Sequence, residues 1–145
     1  MNVAGLFAGI GGLERGLALA GMLDRNRGRE IRLFAGGGLG ALLRYGVGKW
    51  TLAWFGPGFP VGTLAVNIVG SFAIGLAVGA LEGVGQPAKL FFVTGVLGGF
   101  TTFSAFSLDA LTLWQRGETG QAALYVALSV VLSLAAAVAG LWLSR

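Results

Sequence analysis

The sequence predicts an all-α integral membrane protein with four transmembrane helices. Hydrophobic residues make up 55% of the 145 residues and charged residues only 11%, whereas a soluble domain carries about 25% charged residues. The mean hydropathy is +0.80. A membrane-spanning helix needs about 20 consecutive apolar residues, and four such stretches follow residue 30. Because lipid cannot hydrogen-bond to the backbone, we expect each stretch to be a helix.

The four predicted spans cover residues 33–55, 61–81, 90–108 and 121–143. The second and fourth contain no charged residue, the first carries Arg44 and Lys49, and the third is followed by Asp109. The loops between them are short, so consecutive helices should run antiparallel within one domain, residues 31–145. Small-residue spacings at Gly36/Gly40, Gly75/Gly79 and Gly95/Gly99 predict surfaces where helices pack closely.

The third predicted span is interrupted by the run Gly98-Gly99-Phe100-Thr101-Thr102. Consecutive glycines and β-branched threonines are poor helix formers, so we expect the helix to break in this run. A break frees backbone carbonyls, which at membrane depth must be satisfied by protein, water or a cation.

Two stripes of polar side chains run along the second and fourth predicted spans. They consist of Thr63, Asn67 and Ser71, and of Tyr125, Ser129 and Ser133. The spacing of four residues places each set on one face of its helix. Polar groups inside the membrane indicate a pathway for a polar solute. The alternative is that they form hydrogen bonds between helices, which contribute about 0.6 kcal/mol each.

The first 30 residues are predicted to be an extension outside the four-helix domain. Residues 6–22, LFAGIGGLERGLALAGM, resemble the first motif of the cytosine-5 DNA methyltransferases, which binds S-adenosylmethionine. That chemistry needs a cysteine nucleophile, and the chain contains neither cysteine nor histidine. We therefore interpret residues 1–30 as a peripheral or poorly ordered segment with a basic tether at 24–32, and expect no enzymatic activity and no nucleic-acid partner.

Basic residues are distributed unequally between the two predicted membrane sides. One side holds Arg25, Arg27, Arg29, Arg32, Lys89 and Arg145, and the other holds Lys49 and Arg116. The positive-inside rule therefore predicts a cytoplasmic N-terminus. Without residues 1–30 the count is three against two, and so balanced a core can insert in both orientations and pair as an antiparallel dimer.

Three ordered motifs resemble the Fluc/CrcB family of fluoride channels. They are Gly40-Ala41 with Arg44-Tyr45, then Gly62-Thr63 with Val66-Asn67 and Gly70-Ser71-Phe72, then Gly98-Gly99 with Thr101-Thr102-Phe103-Ser104 and Phe106-Ser107. The resemblance covers residues 31–145 and all four spans in order. Ala105 and Asp109 depart from it, since the family pattern has Thr and Glu there.

The resemblance implies a channel for passive fluoride export, built as an antiparallel, dual-topology homodimer in the plasma or inner membrane. Aromatic rings have a positive edge, and Phe103 and Phe106 are implied to present it to fluoride. The further pore residues that it implies are Asn67, Thr63, Tyr125, Ser129, Ser133, Thr102 and Ser104. It also implies a structural Na⁺ at the dimer centre, bound by the backbone carbonyls of Gly98 and Thr101.

Some alternatives stay open at the level of sequence. Arg44 either provides a positive potential at a pore vestibule, or caps carbonyls or pairs with a partner such as Asp109. A small four-helix, dual-topology transporter of the multidrug type is the alternative function, but proton coupling needs a carboxylate within a span, and the predicted spans contain none. A purely structural membrane protein has no need for two matched polar stripes.

Overall fold

The structure is a computed structural model that describes the backbone of residues 12–145 and the side chains from Arg27 onward. The regular elements of this range are α1 (Gly12–Phe55), α2 (Val61–Ala80), α3 (Gln86–Lys89), a π-helix (Leu90–Leu97), α4 (Gly98–Phe100), α5 (Phe103–Gln115) and α6 (Thr119–Leu143). Three described stretches, Val61–Ala80, Gln86–Gln115 and Thr119–Leu143, are long and apolar enough to cross a membrane. The predicted all-α membrane fold is confirmed at this level.

The first helix differs from the predicted first span. α1 is one helix of 44 residues, about 66 Å long at 1.5 Å per residue. The stretch that was expected to be a tether, 24–32, is part of this helix, because it contains no proline and Gly28 continues the winding. Arg44 and Lys49 lower the hydropathy of α1, which is not among the three apolar stretches. Residues 1–11, where the methyltransferase-like motif begins, lie outside the described residues.

The helices pack as two pairs. α1 lies along the π-helix and α4, and α2 lies along α6. A Cβ on Gly36 would come within 3.0 Å of Gly95 Cα, and a Cβ on Gly75 within 2.8 Å of Leu141 N. A side chain at these positions would force the helices apart, so the predicted small-residue spacings are contact surfaces between helices, as packing in lipid requires.

The two ends of the bundle differ in charge. The connections are short, and each contains a glycine with positive φ: Gly56 (70°), Gly83 (80°) and Gly117 (80°). One end, here named the basic end, is where α2 and α6 terminate and α3 begins, and it carries Arg32, Lys89 and Arg145. The opposite end carries Lys49 and Arg116. The placement of basic residues predicted from the loops therefore corresponds to the two ends of the bundle.

Few large side chains are buried within the chain itself. Among the side chains from Arg27 onward, Val66 and Tyr125 are the largest that are fully buried, whereas Phe34 and Trp142 are 86% and 77% exposed. An apolar surface of this extent is unfavourable in water and suits contact with lipid or with a second subunit.

Candidate functional site

The third span breaks where the sequence predicts it. α4 ends at Phe100 and α5 begins at Phe103, while Thr101 and Thr102 adopt extended backbone conformations. Thr102 caps α5, since its Oγ1 accepts a hydrogen bond from Ala105 N over 3.2 Å. Such a cap satisfies one of the amide groups that a helix start leaves without a partner.

The side chain of Asn67 on α2 holds this break in place. Its Nδ2 donates to the carbonyl of Thr102 over 3.0 Å, and Thr102 N donates to its Oδ1 over 2.9 Å. The amide thus pairs with the extended residue much as a neighbouring strand would. An asparagine amide carries two N–H groups, and one of them is left for another acceptor.

The break leaves backbone carbonyls without their helical donors. Thr102 N bonds to Asn67 instead of the carbonyl of Gly98, and Ala105 N bonds to Thr102 Oγ1 instead of the carbonyl of Thr101. Arg44 Nη1 donates to this Thr101 carbonyl over 3.4 Å. Arg44 therefore contacts a carbonyl at the break, and its role at a pore vestibule stays a prediction.

Asp109 is not the partner of Arg44 in the described chain. Its Oδ2 accepts a hydrogen bond from the hydroxyl of Tyr125 over 3.3 Å. α5 continues to Gln115, so Asp109 lies inside the third span and not at its end. The predicted end of this span was wrong because the Tyr125 hydroxyl gives the carboxylate a partner within the bundle.

A groove of about 340 Å³ runs beside the break and brings the predicted polar stripes and rings together. This central groove is lined by Asn67, Ser71, Thr101, Thr102, Phe103, Phe106, Ser129, Val130, Ser133 and Leu134. All ten residues are uncharged. The ring centroids of Phe103 and Phe106 lie 5.3 Å apart, so the two rings form one side of the groove together.

The opposite wall of the central groove holds two hydroxyl groups that have no hydrogen-bond partner. Ser129 Oγ and Ser133 Oγ are buried, and neither forms a hydrogen bond of good geometry in the described chain, although the Ser129 hydroxyl lies near that of Tyr125. An unsatisfied buried polar group costs about 1–3 kcal/mol. The buried hydroxyl of Thr51 avoids this cost by donating to the carbonyl of Val47, four residues earlier. The two serines are therefore available to a ligand, and their hydroxyl hydrogens suit an anion.

Three of the predicted pore residues lie elsewhere. Thr63 lines a second cavity of about 290 Å³, here named the outer cavity, together with Asp109 and Arg116. Tyr125 is fully buried and packs on Phe106, with ring centroids 5.5 Å apart. Ser104 is exposed and is not among the residues that line the central groove.

The sequence reasoning did not identify the apolar wall of the groove or the acceptor of Tyr125. Val130 and Leu134 each follow a groove serine in sequence and complete its wall. Asp109 lies three residues after Phe106, so it shares a face of α5 with that ring. This spacing places the carboxylate on the face of Phe106, but only the packing of Tyr125 on that ring shows that it has a partner there.

An all-helical chain with apolar spans, a broken helix and an uncharged groove of hydrogen-bond donors belongs to the class of small multi-pass membrane channels and transporters. The family model described as "CrcB-like protein, Camphor Resistance (CrcB)" matches residues 31–141. The chain belongs to this family, which confirms the resemblance seen in its three motifs.

Curated relatives carry the name "Fluoride-specific ion channel FluC". The protein from Agrobacterium fabrum is 55% identical over 113 residues, covering 76% of this chain and 90% of the relative. The protein from Cereibacter sphaeroides is 54% identical over 111 residues, covering 77% and 90%. The protein from Rhizobium leguminosarum bv. trifolii is 52% identical over 120 residues, covering 81% and 96%. These relatives confirm the predictions of an ion channel and not an enzyme.

Proposed function

We propose that this protein is a fluoride channel that lets fluoride leave the cell passively through the plasma membrane. The observation that carries the proposal is the pair of unpartnered hydroxyls of Ser129 and Ser133 opposite the rings of Phe103 and Phe106. The names of the relatives support the choice of fluoride as the ion.

The central groove offers weak, neutral donors to an anion that has lost water. The serine hydroxyls and the second N–H of Asn67 donate hydrogen bonds, and the phenylalanine rings present their positive edges. Conduction requires binding that is favourable enough for entry and weak enough for exit. An uncharged groove meets this requirement better than a lysine or arginine would, because a full positive charge holds an anion more strongly.

The proposal includes an antiparallel homodimer. Phe103 is 78% exposed in the single chain, so one side of the central groove is open at the molecular surface. A second subunit packed on this surface closes the groove into a pore. The near balance of basic residues between the ends of residues 31–145 supports insertion in both orientations.

A structural Na⁺ fits the break. The carbonyls of Gly98 and Thr101 lose their helical donors there, and hard cations prefer oxygen ligands. In the proposed dimer these oxygens from both subunits would hold the ion, which would link the two breaks. Arg44 Nη1 already contacts the Thr101 carbonyl, so a Na⁺ bound there would share this oxygen with the guanidinium group.

Efflux from liposomes tests the function. Vesicles loaded with potassium fluoride and containing the purified protein should release fluoride when valinomycin allows potassium to leave, and should retain chloride under the same conditions. The release should not require a proton gradient, which separates a channel from the transporter alternative that Asp109 would serve. Fluoride retention equal to that of empty vesicles, with folded protein, would contradict the proposal.

A further inference from the structure

A third cavity lies at the basic end, between the end of α2 and the beginning of the third span. It has a volume of about 280 Å³ and is here named the Lys89 cleft. Ile74, Val78 and Leu81 line one wall, Leu90 and Val93 line the other, and Lys89 lies among the lining residues at the basic end. The cleft belongs neither to the central groove nor to the outer cavity, since it shares no residue with either.

The cleft results from the way in which the helices pair. The π-helix lies along α1, where Gly95 meets Gly36, whereas α2 lies along α6, where Gly75 meets Leu141. At the break the pairs are joined through the side chain of Asn67. Few contacts join α2 to the π-helix, and the space between them at the basic end is the cleft.

The walls of the cleft suit a hydrocarbon chain. Three α2 residues, at positions 74, 77 and 78, share one helical face with Leu81 just after the end of the helix, and all four are apolar. Residues 74–81 extend about 10 Å along the helix axis, which is about a third of the hydrocarbon thickness of a bilayer. The cleft therefore extends from the membrane surface far enough into the bilayer to hold the part of an acyl chain nearest the headgroup.

The mouth of the cleft suits an anion. Lys89 is partly buried, and it lies in the last turn of α3. Lysine side chains of this kind bury the aliphatic stem and leave the ammonium group at the polar surface. Arg32 and Arg145 lie at the same end of the bundle, while Glu82 in the neighbouring loop is exposed. The local charge therefore favours a phosphate group over a neutral headgroup.

We infer that the Lys89 cleft binds an anionic phospholipid. One acyl chain lies between α2 and the π-helix, and the phosphate contacts the Lys89 ammonium group. The inference concerns the lipid that accompanies the channel and is independent of the ion that the channel conducts.

Native mass spectrometry of the full-length protein tests the inference, with phosphatidylglycerol and phosphatidylcholine supplied in equal amounts. The wild-type protein should retain phosphatidylglycerol preferentially. Lys89→Gln should lower that retention about fivefold, which corresponds to about 1 kcal/mol for one basic residue near the lipid phosphate. Lys49→Gln makes the same change at the opposite end of the bundle and should leave the retention unchanged.

A second variant tests the apolar part of the cleft. Val78 is 57% exposed, so Val78→Trp fills the cleft without overpacking the bundle and should also release phosphatidylglycerol. Equal retention in the Lys89→Gln and Lys49→Gln variants would overturn the inference. A Val78→Trp variant that becomes monomeric but still retains phosphatidylglycerol would also overturn it. In that case a second copy of the chain, and not the lipid, covers the cleft in the wild type.

Discussion

The central groove and the outer cavity are of similar size, but they differ in the charge and the hydrogen bonding of their polar groups. The central groove is uncharged, and its Ser129 and Ser133 hydroxyls have no partner. In the outer cavity Asp109 accepts a hydrogen bond from Tyr125 over 3.3 Å, and Arg116 Nη1 donates to the carbonyl of Pro57 over 3.5 Å. Each charged group of the outer cavity thus has a hydrogen-bond partner within the chain, whereas two donors of the neutral groove have none.

This difference indicates how an anion pathway can be selective without a fixed charge. A positive group attracts every anion without distinguishing them by size, whereas a carboxylate such as Asp109 repels them all. Neutral donors in a narrow groove favour a small ion that several of them can approach at once. Tyr125 lies between the two regions, because it packs on Phe106 and bonds to Asp109.

The largest expected effect comes from placing a negative charge in the uncharged central groove. Asn67→Asp keeps the shape of the side chain but places a carboxylate against the Thr102 carbonyl and in the path of the anion. We expect fluoride efflux from liposomes to fall at least about 100-fold, equivalent to about 2.7 kcal/mol. Asp109→Asn is the matched exchange in the outer cavity, where it leaves Tyr125 an acceptor, and should change efflux by no more than about threefold. Equal losses in the two variants would show that the regions do not differ as described.

A smaller effect should follow from removing one aromatic edge. Phe106→Ile keeps apolar bulk in the central groove but removes the positive ring edge, so we expect about a tenfold loss of fluoride efflux with the subunit assembly unchanged. Phe59→Ile is the control, because Phe59 packs on the other side of Tyr125 with ring centroids 5.6 Å apart. If Phe106→Ile conducts like the wild type, both groove rings are packing residues only.

The unpartnered hydroxyls also predict an effect on stability. Ser129→Ala removes a buried donor that has no partner, so the free energy of unfolding should stay the same or rise by up to about 1 kcal/mol. Thr51 is a matched control, since its buried hydroxyl donates to the carbonyl of Val47 over 2.8 Å. Thr51→Ala should lower the free energy of unfolding by about 1 kcal/mol. Chemical denaturation in detergent measures both, and a clear loss of stability in Ser129→Ala would mean that its hydroxyl has a structural partner.

The sequence predicted the central groove better than the outer cavity. Helical periodicity placed Asn67 and Ser129 on inward faces, and the glycine-threonine run predicted the break beside them. Periodicity says nothing about height along the bundle, however. Thr63 shares a face with Asn67 but lies about 6 Å further along α2, and this distance takes it past Tyr125 into the outer cavity.

Other features depend on contacts that no local pattern reveals. The winding of residues 90–97 as a π-helix has no signal in its composition, which is simply apolar. Asp109 was expected to end the third span because a lone carboxylate is costly in lipid. Only the tertiary contact with Tyr125 shows that it has a partner.

The smallest expected effect on conduction is that of deleting residues 2–30. Every residue that lines the central groove follows Arg32, so fluoride efflux should stay within about twofold of the wild type. The deletion removes Arg25, Arg27 and Arg29, and so takes the bias in basic residues from six against two to three against two. Cysteine labelling of a tagged C-terminus from each side of the membrane should find both orientations in each protein, with a stronger bias towards a cytoplasmic N-terminus in the full chain than in the truncated chain. Loss of efflux from a folded truncated protein would show that the N-terminal segment belongs to the channel.

Fluoride efflux through the double variant Ser129→Ala/Ser133→Ala tests the central claim most directly, because the substitution removes the unpartnered donors and little else. If fluoride passes between these hydroxyls and the rings, a folded double variant should release fluoride at least about tenfold more slowly than the wild type. Ser107→Ala, which removes a hydroxyl bonded to the carbonyl of Phe103 outside the groove lining, should conduct normally. A double variant that is folded and releases fluoride at the wild-type rate would contradict the assignment of the central groove as the pathway.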